Sequence, residues 1–256
     1  MLKKILLFIL GATISMGSIH EIQAQDDSDY VMWEMIYLTP DYSKLKELGE
    51  SMAKHNKKYH SEGPYTANVY NVSSGPNSGK LVWQMGPLTF SHLDGRPSAN
   101  GHDEDWRDNV MVHIKKISTI EYWKQDLKLS NTGMFKPGEF SHPILHIRFH
   151  EVADGEGHQV EHLLKQALEA KKAEPGVNPF GVYYNQFRQG SKIGRHIATV
   201  WFSKNWAEYD DEPTFKKAFK KVHGDDSWQN FIDGLDDAFS NEWDEIWEYN
   251  ATLSGR

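Results

Sequence analysis

The 256-residue chain contains no cysteine. That absence excludes a disulfide scaffold, a thiolate nucleophile, an iron–sulfur cluster and a cysteine zinc site, and with them a lipid-bearing N-terminal cysteine. Positive charge is also in short supply. Only 28 Lys and Arg face 36 Asp and Glu, and the formal net charge of −8 argues against a nucleic-acid partner. Beyond the N-terminus no apolar run approaches the roughly 18 residues of a membrane-spanning helix. No G-x-G-x-x-G, Walker loop or G-x-S-x-G elbow occurs, so the usual marks of dinucleotide, P-loop and serine-hydrolase chemistry are missing. The Gly75-Pro76-Asn77-Ser78-Gly79 run has the composition of a hairpin turn, not of a phosphate cradle. Lys216, Lys217, Lys220 and Lys221 form a basic helix face, but Asp210, Asp211, Asp225 and Asp226 flank it, which reads as a solvated helix.

The first residues read as an address. Lys3 and Lys4 precede an apolar stretch over 5–19, and Ile22-Gln23-Ala24 offers a small residue at a cleavage position. This layout predicts a secretory signal over 1–24 and an exported, periplasmic or secreted, mature chain without a membrane span. An exported protein without disulfides must draw its stability from a large packed core.

The remainder reads twice. In the first half a strand over 31–38 leads to a helix over 42–59 with Leu45, Leu48 and Met52 on one stripe. Strands over 66–73 and 80–86 follow, then a polar stretch over 91–103, a helix over 104–115 and a strand over 117–126. The second half repeats the order: strand 144–152, helix 157–173, strand 180–188, a turn over 189–194, strand 196–203, helices 212–223 and 227–240, and strand 242–252. Tyr70-Asn71 matches Tyr184-Asn185, Trp106 matches Trp228, and Tyr122-Trp123 matches Ile246-Trp247. Each half is therefore a β-α-β-β-α-β ferredoxin-like unit. The predicted organisation is a first repeat over 25–130, a linker over 131–142 and a second repeat over 143–256.

Such a unit covers one sheet face with helices and leaves the other bare. Here the bare faces carry Trp33 or Met32, Trp83 or Val82, Trp123 and Trp247, too apolar to be left wet. Two linked units can close these faces on each other. The sequence thus resembles the dimeric α/β-barrel superfamily in tandem, single-chain form, across nearly all of residues 29–254. The resemblance implies an α+β fold, two ferredoxin-like repeats closing into one intramolecular barrel, and a cleft for a small aromatic or anionic molecule. It also implies a range of activities: cofactor-independent monooxygenase-like or proton-transfer chemistry, haem binding, or a non-catalytic stress-type scaffold. The chain is expected as a pseudo-twofold monomer or a homo-oligomer.

Within this frame the strand over 144–152 carries the most chemistry. Alternation places His146, Arg148 and His150 on one face and Leu145, Ile147 and Phe149 on the other. The apolar set is expected under the helices and the polar set towards the barrel interior or solvent. Glu34 occupies the place of His146 in the first repeat. Together Glu34, His146, Arg148 and His150 are candidate catalytic residues, histidine as proton shuttle and Arg148 as anion clamp. Asn71, Asn185, Tyr184 and Trp201 are candidate ligand-binding residues, the two asparagines because they interrupt strands at matching positions. If the protein is a scaffold, the loops over 91–103 and 204–213 carry the contacts.

No cofactor and no metal-ligand set are expected. Residues two apart on a strand face lie about 7 Å apart, too far to share one ion. His158 to His162 spells H-x-x-E-H on a helix, but no second helix supplies the remaining ligand of a peptidase. His55 and His60, five apart, do not share a helix face well, and a haem-ligand role for one of them rests on the resemblance alone.

Overall fold

The computed structural model of the chain describes residues 30–136, 140–187 and 195–256. The leader expected over 1–24, the turn expected over 189–194 and the centre of the expected linker lie outside the described residues. Eight strands form one closed antiparallel barrel in the order β1-β3-β2-β8-β5-β7-β6-β4. They are β1 (Met32–Pro40), β2 (Ala67–Ser74), β3 (Leu81–Leu88), β4 (Ile114–Gln125), β5 (Ile144–Val152), β6 (Phe180–Asn185), β7 (Ile197–Ser203) and β8 (Phe239–Tyr249). Each half contributes four strands in the same internal order, and the halves join at two seams, β2 with β8 and β4 with β6. The fold is therefore the expected pair of ferredoxin-like repeats, closed without a free sheet edge.

The helices are α1 (Leu45–Tyr59), α2 (Phe90–Asp94), α3 (His102–Asp105), α4 (Gly157–Ala173), α5 (Phe215–His223) and α6 (Ser227–Ala238). The α1 stripe buries Leu48 and Met52 as its spacing predicts, although Leu45 stays exposed. The helix expected over 104–115 is instead broken into α3, a π-turn (Trp106–Val110) and a 3-10 turn (Met111–His113), and β4 begins earlier than expected. Its β-branched run is claimed by pairing with β1 rather than by helix propensity. Ser74–Gly79 does turn tightly. Gly75 has φ +98°, and a Cβ there would lie 2.3 Å from the Asp244 carbonyl of β8.

Three cores result. Leu48, Met52, Trp83 and Leu253 fill the space between α1 and the first half. Leu163, Phe219 and Phe231 fill the corresponding space of the second half. Tyr37, Val82, Trp123, Phe149 and Trp247 fill the barrel itself. The apolar set of β5 is thus not under the helices as expected, and of the two places expected for its polar set the outer one is taken. Leu145, Ile147 and Phe149 point into the barrel, and His146, Arg148 and His150 lie outside. Alternation fixes which residues share a face, but the apolar set went to the side where eight strands supply the more complete burial.

One end of the barrel interior is closed by charge. Arg195 donates from Nε and Nη2 to the two Glu121 oxygens at 2.7 and 2.8 Å, and from Nη2 to the Tyr37 hydroxyl at 2.8 Å. Its guanidinium lies 3.8 Å from the Phe149 ring centroid, and its Nη1 is 3.8 Å from Glu245 Oε1. Glu121 and Glu245 are both fully buried, and each accepts an indole N–H from the tryptophan two residues on, Trp123 and Trp247, at 2.8 Å. Asn77 donates to Glu245 at 2.6 Å. Burial alone would lower the Arg195 pKa; Tyr37 and Glu121 beside it outweigh that and hold it above the usual arginine value. Replacing Arg195 with Ala strands two buried carboxylates. The expected loss is about 3–5 kcal/mol, read from urea unfolding by tryptophan fluorescence. A loss under about 1 kcal/mol would mean that water or proton uptake makes good the missing cation.

Candidate functional site

Two concavities stand out, one inside the barrel and one outside it. The interior cavity has a volume of about 360 Å³ and opens at the end opposite Arg195. Its walls come from inward-facing residues of both halves, among them Trp33, Trp123, Tyr183, Ala198, Phe202 and Trp247. The polar groups inside are few. Asn68 and Gln84 face each other across the β2–β3 pair, and the buried Asn68 Oδ1 has no protein partner. Gln125 donates to Thr132 Oγ1 at 2.8 Å near the mouth. Burial raises the Tyr183 hydroxyl well above its ordinary value, so it stays a neutral donor.

The outer cleft, about 270 Å³, lies between the first half of the sheet and the α2–α3 region. Glu34 and Ile36 of β1, Trp83 of β3, Arg96, Trp106, His60 and His102 border it. Glu34 is buried, and its Oε1 accepts from the Tyr122 hydroxyl at 2.9 Å and from Arg96 Nη1 at 3.3 Å. At the floor three imidazoles meet. One ring nitrogen of His55, of His60 and of His102 lies within 4.8 Å of the others, a set able to hold one metal ion. His55 and His60 can meet because α1 ends between them. His60 is its C-cap at φ −133°, so the chain leaves the helical path and the helical five-residue offset no longer applies. α3 and the π-turn behind it then carry in His102, with Trp106 5.0 Å from the His55 ring and Trp83 5.0 Å from the His60 ring. Burial lowers the pKa of His55, and it lowers that of His60 to about 4, so both rings are neutral near pH 7.

The expected catalytic foursome does not assemble. Glu34 belongs to the outer cleft of the first half, whereas β5 lies in the second half and is not adjacent to β1. Arg148 forms a two-pronged pair with Asp244 at 2.8 and 2.9 Å, and His146 Nε2 lies 3.3 Å from the same carboxylate. His150 is buried against Phe239, paired with Glu242 and 2.9 Å from Thr199 Oγ1. Trp201 packs on His146 and under the Arg148 guanidinium, outside the barrel. Asn71, Asn185 and Tyr184 lie at the seams rather than in one ligand site. Asn71 is opposite Glu248, Asn185 opposite Trp123 and Tyr184 opposite Lys124. Since Trp123 and Trp247 are equivalent, Asn71 corresponds to Tyr184, and Tyr70 to Tyr183. The sequence match is off by one residue, and on a strand that exchanges faces. Tyr183 and Tyr70, not Tyr184 and Asn71, are the matched pair that lines the cavity.

No family profile matches the chain, and no curated protein does. Solved structures do. An anthrone oxidase-like protein is 12% identical, covers 90% of this chain and 94% of its own, and superposes with a TM-score of 0.54. A candidate monooxygenase from Lactobacillus acidophilus is 11% identical over 86% of this chain and 94% of its own, with a TM-score of 0.55. A candidate chlorite dismutase is 8% identical over 88% and 96%, with a TM-score of 0.52. The chain has the dimeric α/β-barrel fold. At these identities the likeness extends to the fold and not to an activity. Among the described residues no helix is long and apolar enough to cross a membrane.

The Arg148–Asp244–His146 cluster has a pH signature. Partial burial alone would raise the Asp244 pKa, but hydrogen bonds from Arg148 and His146 outweigh it and hold it well below the usual carboxylate range. The unfolded chain then binds more protons through that window, so stability rises with pH across it. The contribution is complete above the ordinary aspartate value of about 3.9 and disappears as pH falls through the depressed folded value. Asp244→Asn should therefore unfold more readily than the parent at pH 7 and equally at the acid extreme. Coincident urea curves at pH 7 would show that solvent screens the cluster completely.

Proposed function

We propose that the chain is an exported protein that binds a small, flat, largely apolar molecule inside the barrel. The observation that carries this reading is the aromatic-walled interior cavity of about 360 Å³, open at one end. Its size falls within the range of ligand pockets, about 300–1,000 Å³, and its composition, apolar walls with few polar groups, is theirs too. The unpartnered Asn68 Oδ1 supplies a hydrogen-bond acceptor for a donor on the ligand, since a buried polar atom without a partner costs about 1–3 kcal/mol. Aromatic walls favour a flat ring system through offset and edge contacts. The neighbour named for anthrone oxidation is consistent with an aromatic ligand. Export rests on the leader-like residues 1–24.

The reading separates this ligand from the residues first expected to bind it. His146, Arg148, His150 and Glu34 do not line the interior cavity, so they have no part in binding there. Binding of 2-naphthol, followed by quenching of the interior tryptophans, tests the proposal. Ala198 lines the cavity, and Ala198→Phe fills it from the wall. The expected result is saturable quenching that this substitution weakens at least about tenfold, equivalent to 1.4 kcal/mol, with the circular dichroism unchanged. Quenching that persists unaltered in Ala198→Phe would overturn it.

A further inference from the structure

We propose that His55, His60 and His102 form a three-histidine site for a divalent first-row transition ion, zinc by preference, with one coordination position open to the outer cleft. The inference is independent of the interior ligand, because the site lies outside the barrel, between α1, α3 and the sheet.

The outward ring nitrogens decide the chemistry. His55 Nδ1 lies 2.8 Å from Asp105 Oδ2, His60 Nδ1 2.8 Å from the Tyr65 carbonyl, and His102 Nδ1 2.7 Å from Asp103 Oδ1. A carbonyl or carboxylate oxygen can only accept, so each Nδ1 is the donor there and Nε2 is the ring nitrogen left to turn inward. Two of those nitrogens are within hydrogen-bond distance, His60 Nε2 3.1 Å from His102 Nε2, a contact that one proton between them makes when no ion is bound. The third, on fully buried His55, has no partner at all. Three Nε2 atoms thus turn toward one mostly buried space, and one cation there takes the place of the shared proton and also satisfies the partnerless His55 nitrogen.

The dimensions suit a small ion. Zinc–nitrogen bonds of about 2.0–2.1 Å in a tetrahedron place two ligand atoms about 3.3 Å apart, close to the 3.1 Å between His60 and His102, while the set as a whole lies within 4.8 Å and closes inward on an ion. Three neutral nitrogens without a carboxylate oxygen are the wrong donors for magnesium or calcium, and the right ones for zinc and its neighbours. Each ring is also held as metal-ligating histidines usually are, by an oxygen on the far nitrogen. Asp105 is itself fixed by Asn109 Nδ2 at 2.8 Å. A haem does not fit this arrangement. Its macrocycle occupies four positions around iron and leaves two on opposite faces, which three converging imidazoles, two of them 3.1 Å apart, cannot take.

The second half serves as an internal comparison. There the space between helices and sheet is filled by Leu163, Phe219 and Phe231. One histidine, His223, packs there on Phe219 and meets the Gln166 carbonyl at 3.1 Å; only the first half brings three imidazoles together among the described residues. The cleft reaches His60 and His102 and also holds Arg96 and Glu34. The open position is thus suited to water or to a small anionic ligand beside the Arg96 guanidinium.

Chelator-stripped, intact protein titrated with Zn²⁺ by calorimetry, and with Co²⁺ by visible spectroscopy, tests the assignment. One Zn²⁺ per chain and the intense visible bands of four-coordinate Co²⁺ are expected. His102→Gln removes a ligand at the cleft edge, outside the packed core, and should abolish both signals while the circular dichroism is retained. Asp105→Asn keeps all three ligands but loses the carboxylate behind His55, and should weaken binding about 10–100-fold. The His158→Gln/His162→Gln pair on α4 should change nothing. A stripped, folded protein that takes up neither ion would overturn the proposal, as would stoichiometric binding that survives His102→Gln or is lost in the α4 variant.

Discussion

Arg195 lies between two fully buried glutamates, and those glutamates come from different halves of the chain: Glu121 from β4 and Glu245 from β8. Closing the barrel removes all three charges from water, so closure is tolerable only if they meet. The arrangement also sets the register of the seams. Each glutamate holds the indole of the tryptophan two residues on, and those tryptophans are the largest side chains in the interior. A slip of one residue in either strand would turn a tryptophan outward and leave a carboxylate unpaired. The apolar cavity at the other end exists because the polar groups are gathered here.

Much of the architecture could be read from the sequence because the repeat doubles every signal. Strand and helix order, the helix over 157–173 and the equivalence of Trp123 with Trp247 all follow from periodicity and recurrence. What periodicity cannot supply is the sense of a face. On β5 it separated His146, Arg148 and His150 from Leu145, Ile147 and Phe149, but barrel closure decided which set went inside. The same period-two ambiguity matched Tyr70-Asn71 to Tyr184-Asn185, one residue from the true register. Arg195 passed unremarked because, beside a turn-like Gly and Gln run, nothing local signals that two carboxylates far along the chain await it.

The outer cleft was still harder to see. His55 and His60 are five apart, a spacing that means separation on a continuous helix and proximity only where the helix stops between them. His102 comes from a segment whose helical pattern is broken by a π-turn, a local irregularity often found at functional sites and one that composition does not announce. The signal available was a negative one. Among the described residues three imidazoles converge in the first half only, so the two repeats differ where the first carries chemistry.

Covalent linkage of the two halves has a consequence for how such a cleft can change. In a barrel built from two identical chains, one substitution appears twice, and any gain in one cleft is imposed on the other along with its cost in packing. Here each half is written separately. The second half can keep its aliphatic and aromatic filling, while the first sets three imidazoles and an open cleft beside an apolar core of its own. Inheritance thus acts on the two clefts as on two separate proteins that share one scaffold, and an asymmetric molecule entering the barrel meets two different walls rather than one wall and its mirror in rotation.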